Sequence, residues 1–195
     1  MRTAEVIRKT AETDITVRLD IDGSGKADIR TNIGFFDHML TLFAKHGCFD
    51  LEVKCDGDLK VDFHHTVEDV GICIGKAFEQ ALGDKAGITR YGDIILPMDE
   101  ALVLCAIDIS GRTYLSCELD FPSPKIGCFD TELVKEFFHG FTRACPSTLH
   151  ILMLDGDNSH HIAEAAFKGF GRALSAACAP DERLDGQIPS TKGVL

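Results

Sequence analysis

His64-His65-Thr66-Val67-Glu68 and His160-His161-Ile162-Ala163-Glu164 share the pattern H-H-x-x-E and hold four of the chain's eight histidines. Each opens an apolar run of helical character, Val70 to Leu82 after the first and Ala165 to Ala177 after the second. On a helix, residues i and i+4 share a face, while i and i+1 diverge by about 100°. His64 with Glu68 can therefore grip one ion, and His160 with Glu164 another. His65 and His161 point elsewhere, so each motif is expected to serve two sites. Imidazole plus carboxylate suits Mn, Fe, Zn or Ni, and the lack of an adjacent cysteine argues against a structural zinc knot. One such motif could equally be a pair of solvated histidines at a helix start. Two copies 96 residues apart are better explained by a two-metal site.

The paired motifs point to an internal repeat. From the first His of each motif to Gly75-Lys76-Ala77 and to Gly171-Arg172-Ala173 the step is 11 residues. Upstream, Asp56-Gly57-Asp58 and Asp155-Gly156-Asp157 read as matching turns, preceded by strand-like Leu51-Glu52-Val53 and Leu149-His150-Ile151. Helix-like runs lie further back, at Phe35 to Lys45 and Glu132 to Ala144. Each half opens with strand-like stretches. In the first these are Glu5 to Arg8, Asp14 to Ile21 and Ala27 to Ile33, broken by turn residues such as Asp22-Gly23-Ser24-Gly25. In the second they are Asp93 to Leu96, Ala101 to Ile109 and Tyr114 to Leu119, with a turn at Ser110-Gly111-Arg112. The order in each half is three strands, helix, strand, helix. This predicts an α+β fold, internally duplicated, with two sheets flanking a central helix layer. The expected division is a first repeat at 1–88, a second at 89–180 and an irregular tail at 181–195, forming one compact domain.

The repeat extends the ligand set. His38 lies 26 residues before His64 in the first helix of its half; its counterpart in the second falls near Glu136, 24 residues before His160. His46, His139 and His150 have no duplicated partner and read from spacing alone as structural.

Composition bounds the function classes. A chain of 195 residues, 45% apolar and 26% charged, is long enough for a sizeable core and ordinary for a soluble protein. A net charge of −11 without a Lys/Arg block argues against nucleic-acid and anionic-membrane partners. No apolar run approaches the roughly 18 residues of a membrane span, and the start lacks a signal-peptide core, so a cytoplasmic location is expected. The eight cysteines include no C-x-x-C and mostly sit in apolar runs, as small buried hydrophobes in a reducing compartment do.

Longer motifs carry a resemblance. Asn32-Ile33-Gly34-Phe35-Phe36-Asp37-His38-Met39-Leu40, Asp62 through Asp69 and Asn158 through Ala165 resemble the imidazoleglycerol-phosphate dehydratases of histidine biosynthesis. The likeness includes Pro97-Met98-Asp99-Glu100-Ala101 and Pro189-Ser190-Thr191-Lys192-Gly193, and so spans nearly the whole chain. It implies a duplicated α+β unit and a manganese hydro-lyase with two Mn²⁺ per active site, converting D-erythro-imidazole glycerol phosphate to imidazole acetol phosphate. The family's metal positions fall on His38, His64, His65, Glu68, Glu136, His160, His161 and Glu164. It further implies a homo-oligomer of about 24 subunits with metal sites between neighbours, which would make ligand energy also interface energy.

The chemistry gives a reason for two cations. The hydrogen to be lost is not acidic, because no carbonyl adjoins its carbon. One cation on each ring nitrogen would stabilise an imidazolate whose electrons expel the hydroxyl. A diazafulvene-like species would then lose a proton to give an enol and finally the ketone. Carboxylates must carry protons in such a scheme. Glu12 matches a substrate-contacting family glutamate and joins Glu68 and Glu164 as the expected catalytic set. Arg90, Arg112, Lys168, Ser190 and Lys192 match positions that hold the substrate, mostly its phosphate, and His46 matches a substrate-side position. Two other classes fit the bare motifs: a metal-dependent hydrolase, whose familiar H-E-x-x-H and H-x-x-E-H spacings are absent, and a non-catalytic protein whose cations only join subunits.

Overall fold

The same chain path is traced twice. In the computed structural model, which describes residues 2–195, the first pass runs β1 (Thr3–Lys9), β2 (Thr13–Asp20), β3 (Ala27–Arg30), α1 (Gly34–Gly47), β4 (Asp50–Gly57) and α2 (His64–Leu82). The second runs β5 (Tyr91–Met98), β6 (Ala101–Asp108), β7 (Tyr114–Glu118), the small hairpin β8 (Lys125–Ile126) and β9 (Phe129–Asp130), α3 (Leu133–Ala144), β10 (Thr148–Asp155) and α4 (Ser159–Cys178). The two four-stranded sheets have equivalent orders, β1-β2-β4-β3 and β5-β6-β10-β7. In each, the last-listed pair is parallel and the others antiparallel.

Strand alternation does what the period-two pattern requires. Ile15, Val17 and Leu19 of β2 are buried, as are Val103, Cys105 and Ile107 of β6. Their inner faces are covered by α2 and α4 respectively. The helices then pack across the two passes, α1 on α4 and α2 on α3. Fully buried phenylalanines fill this layer: Phe43 stacks on Phe170 at 5.3 Å, and Phe78 meets Phe141 edge-on at 5.7 Å. Burying each such ring contributes about 1.5–3 kcal/mol.

The repeated step to Gly75 and Gly171 now has a physical cause. A Cβ on Gly75 would stand 2.5 Å from the Phe141 carbonyl oxygen, and one on Gly171 2.6 Å from that of Phe43. Only glycine lets these backbones cross so closely.

Several boundaries differ from the sequence reading. Asp56 and Gly57 belong to β4 rather than a turn, because β2 pairs with them through Asp14 and Thr13. In the second pass Asp155 ends β10 and Gly156, at φ +146°, carries the bend. The third strand stops at Arg30, since Asn32 takes φ 65° and the Asp37 carboxylate accepts from both the amide and hydroxyl of Thr31 at 2.8 and 2.6 Å. The β8–β9 hairpin, two residues per strand, is too short for any periodic signal. The tail contains one 3₁₀ turn, Glu182–Leu184.

Candidate metal centre and active site

Both histidine pairs occupy the first turn of a long helix, and an Asx side chain two residues earlier fixes that start. The Asp62 carboxylate accepts from His64 N at 2.8 Å; the Asn158 side chain accepts from His160 N at 2.9 Å and His161 N at 3.3 Å. Asn158 is the N-cap of its helix, whereas Asp62 stands one residue before the N-cap Phe63; each bond holds the helix entrance and with it the direction of the imidazoles. The rings of His64 and His65 lie 6.3 Å apart at 90°, and those of His160 and His161 6.4 Å apart at 85°. Adjacent histidines therefore diverge.

On the α1–α4 seam, three donors converge. Glu164 Oε1 lies 2.8 Å from His38 Nε2 and 3.2 Å from His160 Nε2. Among the described residues this is the one group of three such side chains whose donor atoms all lie within 4.8 Å of one another. The other carboxylate oxygen, Oε2, accepts from Lys168 Nζ at 2.5 Å. Burial raises the Glu164 carboxyl, but hydrogen bonds from Lys168 and His38 outweigh it and hold the acid at about 2. The group stays ionised and presents one anionic oxygen to two imidazoles. Donors at right angles around an ion bound at about 2.1 Å stand roughly 3 Å apart, so the spacings fit a divalent transition metal.

The matching triad on the α2–α3 seam is not gathered. Glu68 Oε1 instead pairs with Arg143 Nη1 at 3.1 Å. Glu136 stands half-buried in the first turn of α3. Its register mirrors that of His38: Glu136 precedes Phe141 by the same five positions that separate His38 from Phe43, and those two carbonyls face Gly75 and Gly171. The helix crossing supports the pairing of positions, without bringing the Glu136 side chain to His64.

The second histidine of each motif turns to a carboxylate. His65 Nδ1 lies 2.9 Å from Asp58 Oδ2, with Glu12 Oε1 3.7 Å from its Nε2. His161 Nδ1 lies 2.7 Å from Glu100 Oε2, with Asp99 Oδ2 3.8 Å from its Nε2. Hydrogen bonding to Asp58 raises the His65 pKa, and bonding to Glu100 raises that of His161. Glu12 is exposed in the β1–β2 turn.

The expected anion-binding residues fall into two places. Arg90, Arg112, Ser190 and Lys192 line one cavity of about 700 Å³, shared with Tyr91 and Val194. Here Arg90 donates to both Asp108 oxygens at 2.7 and 3.1 Å and to the Pro189 carbonyl at 2.7 Å, and its guanidinium lies 4.7 Å from the centre of the Tyr91 ring. Arg112 is freer: it donates to the Ser110 carbonyl at 3.3 Å, and its Nη2 lies 3.7 Å from Asp108 Oδ2. The tail is thus stitched to the second sheet, and Gly111 packs against Leu195. Lys168 and His46 sit elsewhere, on the seam beside Glu164. Burial lowers the His46 pKa, and the charges of Lys168 and Arg172 lower it further. Of the histidines read as structural, His150 packs on the Tyr114 ring at 5.5 Å.

Sequence reasoning missed Asp58 and Glu100 as partners of the motif histidines. Asp58 stood in the repeated Asp-Gly-Asp, but nothing in its spacing marked it as the one to meet His65. Arg143 and Arg172 gave no signal beyond being surface cations.

Comparison with known proteins agrees with this architecture. The family profile "Imidazoleglycerol-phosphate dehydratase" matches residues 31–174. Proteins of that name from Methylorubrum populi and Desulforamulus reducens are 60% identical over 195 residues and 58% identical over 194, covering all of this chain and 100% and 98% of their own lengths. The crystal structure of the Pyrococcus furiosus enzyme superposes with a TM-score of 0.82 at 41% identity, covering 97% of this chain and 100% of that one. The Staphylococcus aureus structure gives 0.84 at 38%, covering 92% and 99%.

Proposed function

The chain belongs to the imidazoleglycerol-phosphate dehydratase family, and from that premise we propose that it dehydrates D-erythro-imidazole glycerol phosphate to imidazole acetol phosphate with two Mn²⁺ ions per site. The observation that carries the metal reading is the convergence of His38 Nε2, His160 Nε2 and Glu164 Oε1. When bound, the cations supply Lewis acidity at the two nitrogens of the substrate ring.

The chain's own residues do the rest. His38, His160 and Glu164 would help to hold one ion and His64, Glu68 and Glu136 the other, with His65 and His161 completing the sites of neighbouring copies. For the latter, Glu68 must leave Arg143, a half-exposed pair whose rupture costs little. Lys168 keeps Glu164 ionised. Glu12, exposed and near the His65 ring, is the proposed proton carrier. Arg112, Ser190 and Lys192 offer donors for the phosphate, with Arg90 fixing the cavity wall through Asp108 and Pro189. Lys168 is a second cationic point for the substrate, and His46 beside it, its pKa lowered, offers a neutral imidazole.

Because first and second histidines diverge, a site using both would draw ligands from more than one copy. That supports a homo-oligomer, about 24 subunits by family resemblance, with sites between neighbours. No helix among the described residues is long and apolar enough to cross a membrane, in keeping with the proposed cytoplasmic location.

Chelator-stripped protein incubated with imidazole glycerol phosphate should form product only on addition of Mn²⁺, read as enol absorbance after alkali. Absence of a Mn²⁺-dependent product would overturn the assignment. Release of inorganic phosphate would favour a hydrolase instead.

A further inference from the structure

We propose that Asp58 and Glu100 are positioning residues that orient His65 and His161 so that each presents Nε2 to a divalent cation. This rests on the reading of those two histidines as ligands. Metal-bound histidines commonly donate their second ring N–H to a carboxylate, which fixes tautomer and ring orientation. Both rings make that contact through Nδ1, at 2.9 and 2.7 Å.

The two carboxylates arrive from non-equivalent places in the repeat. Thr13 pairs with Gly57 in the first pass, and Ala101 packs on Gly156 in the second. By that register Glu12 corresponds to Glu100, and Asp58 to Asp157. Yet His65 takes the residue that follows β4, whereas His161 takes the one in the β5–β6 turn. Two different backbone positions thus deliver a carboxylate to the same atom of equivalent rings.

Each carboxylate is itself anchored. The Asp58 amide donates to the Glu12 carbonyl at 3.0 Å, and Asp58 Oδ1 is buried with no hydrogen-bond partner, so Oδ2 and the imidazole carry its polar bonding. Glu100 Oε1 accepts from Asn158 N at 3.1 Å, and the Asn158 side chain in turn accepts from His161 N. Glu100 therefore ties the ring and the backbone of the same helix start.

The test uses metal-stripped, full-length protein. Mn²⁺ affinity and stoichiometry are measured by calorimetry, and histidine tautomers by long-range ¹H–¹⁵N correlation before metal is added. In the wild type, His65 and His161 should carry the proton on Nδ1. Asp58→Ala and Glu100→Ala should move their own histidine toward the Nε2–H form and weaken Mn²⁺ binding by about 10–100-fold. Asp58→Asn and Glu100→Gln, whose amide oxygens still accept from Nδ1–H, should keep the tautomer and recover most of the affinity. They also serve as the folded reference if an alanine variant is unstable. Unchanged tautomer and affinity in the alanine variants, or Nε2–H rings in the wild type, would overturn the positioning role. His65→Ala and His161→Ala separate the two claims: if both still bind Mn²⁺ at wild-type affinity and stoichiometry, the ligand reading itself fails.

Discussion

His38 and Glu164, 126 positions apart and on helices from opposite passes of the chain, meet at 2.8 Å. The contact is possible only because α1 and α4 cross at Gly171, where the two backbones nearly touch. The proposed ligand set is thus assembled by the same packing that closes the core. Glu164→Gln keeps the shape and removes the charge. It should lower bound Mn²⁺ by one ion per chain and dehydratase turnover by at least ~10²-fold, and it should also lower the unfolding temperature of the metal-free protein, because the mostly buried Lys168 ammonium loses its partner. Metal analysis after gel filtration and steady-state assay check both.

Lys168 is the largest favourable influence on the Glu164 carboxyl. Removing it in Lys168→Met takes away a cation that stabilises the ionised form, so the Glu164 pKa must move upward from about 2 toward the ordinary carboxylate range. A ¹³C-carboxyl titration of metal-free protein would record the shift; a value staying near 2 would show that the imidazoles alone suffice.

Deleting Pro189 to Leu195 removes Ser190 and Lys192 and the carbonyl that receives Arg90. Turnover should be abolished, while metal content and assembly stay intact. Full activity in the truncated protein would remove the tail from the site.

Much of this architecture was written in the residue pattern. The H-H-x-x-E pairs, their equal step to a glycine and the matched strand runs were enough for a doubled α+β fold, because each follows from local periodicity. The His160–Glu164 pair follows from i, i+4 spacing alone. His38 came from the repeat, and its approach to Glu164 is long-range. What stayed hidden are contacts decided by side-chain reach across elements: Asp58 on His65, Glu100 on His161, Arg143 on Glu68. The residues proposed for the phosphate side were legible only through family likeness, and the cavity that most of them line is closed by a tail with no period at all.

Gly75→Ala sets a helix-propensity gain of about 1 kcal/mol against a clash with the Phe141 carbonyl, a backbone atom that cannot rotate away. Overpacking wins, with a net loss of about 1–3 kcal/mol in denaturant unfolding. Gly34→Ala is the contrast: its Cβ meets nothing within 4 Å, and the change should be neutral or mildly stabilising, within about 1 kcal/mol.

Burial pushes the thiols of Cys55 and Cys178 up to about 12, and that of Cys145 well above its ordinary value. The folded pKa values lie above the unfolded ones, so this contribution is whole below about pH 8.5 and drains away as pH climbs toward 12. The loss is on the order of a few kcal/mol per thiol. Thermal unfolding between pH 8 and 11 (approximate bounds of the thiol window) should show it, and serine at Cys178 should flatten the decline. Below that window the exposed Cys48 and Cys128 should react first with an aqueous disulfide reagent, the half-buried Cys117 more slowly, and the five buried thiols last.

The exchange of helix partners between the two passes has a consequence for biosynthesis. When the ribosome has released only as far as α2, that helix and α1 still lack α3 and α4, the surfaces that cover their phenylalanines. The amino-terminal portion must therefore wait, sticky and incomplete, until translation delivers its twin. Slowing the ribosome between residues 90 and 130 (the stretch that precedes α3) would lengthen that exposed interval and raise the demand for chaperones.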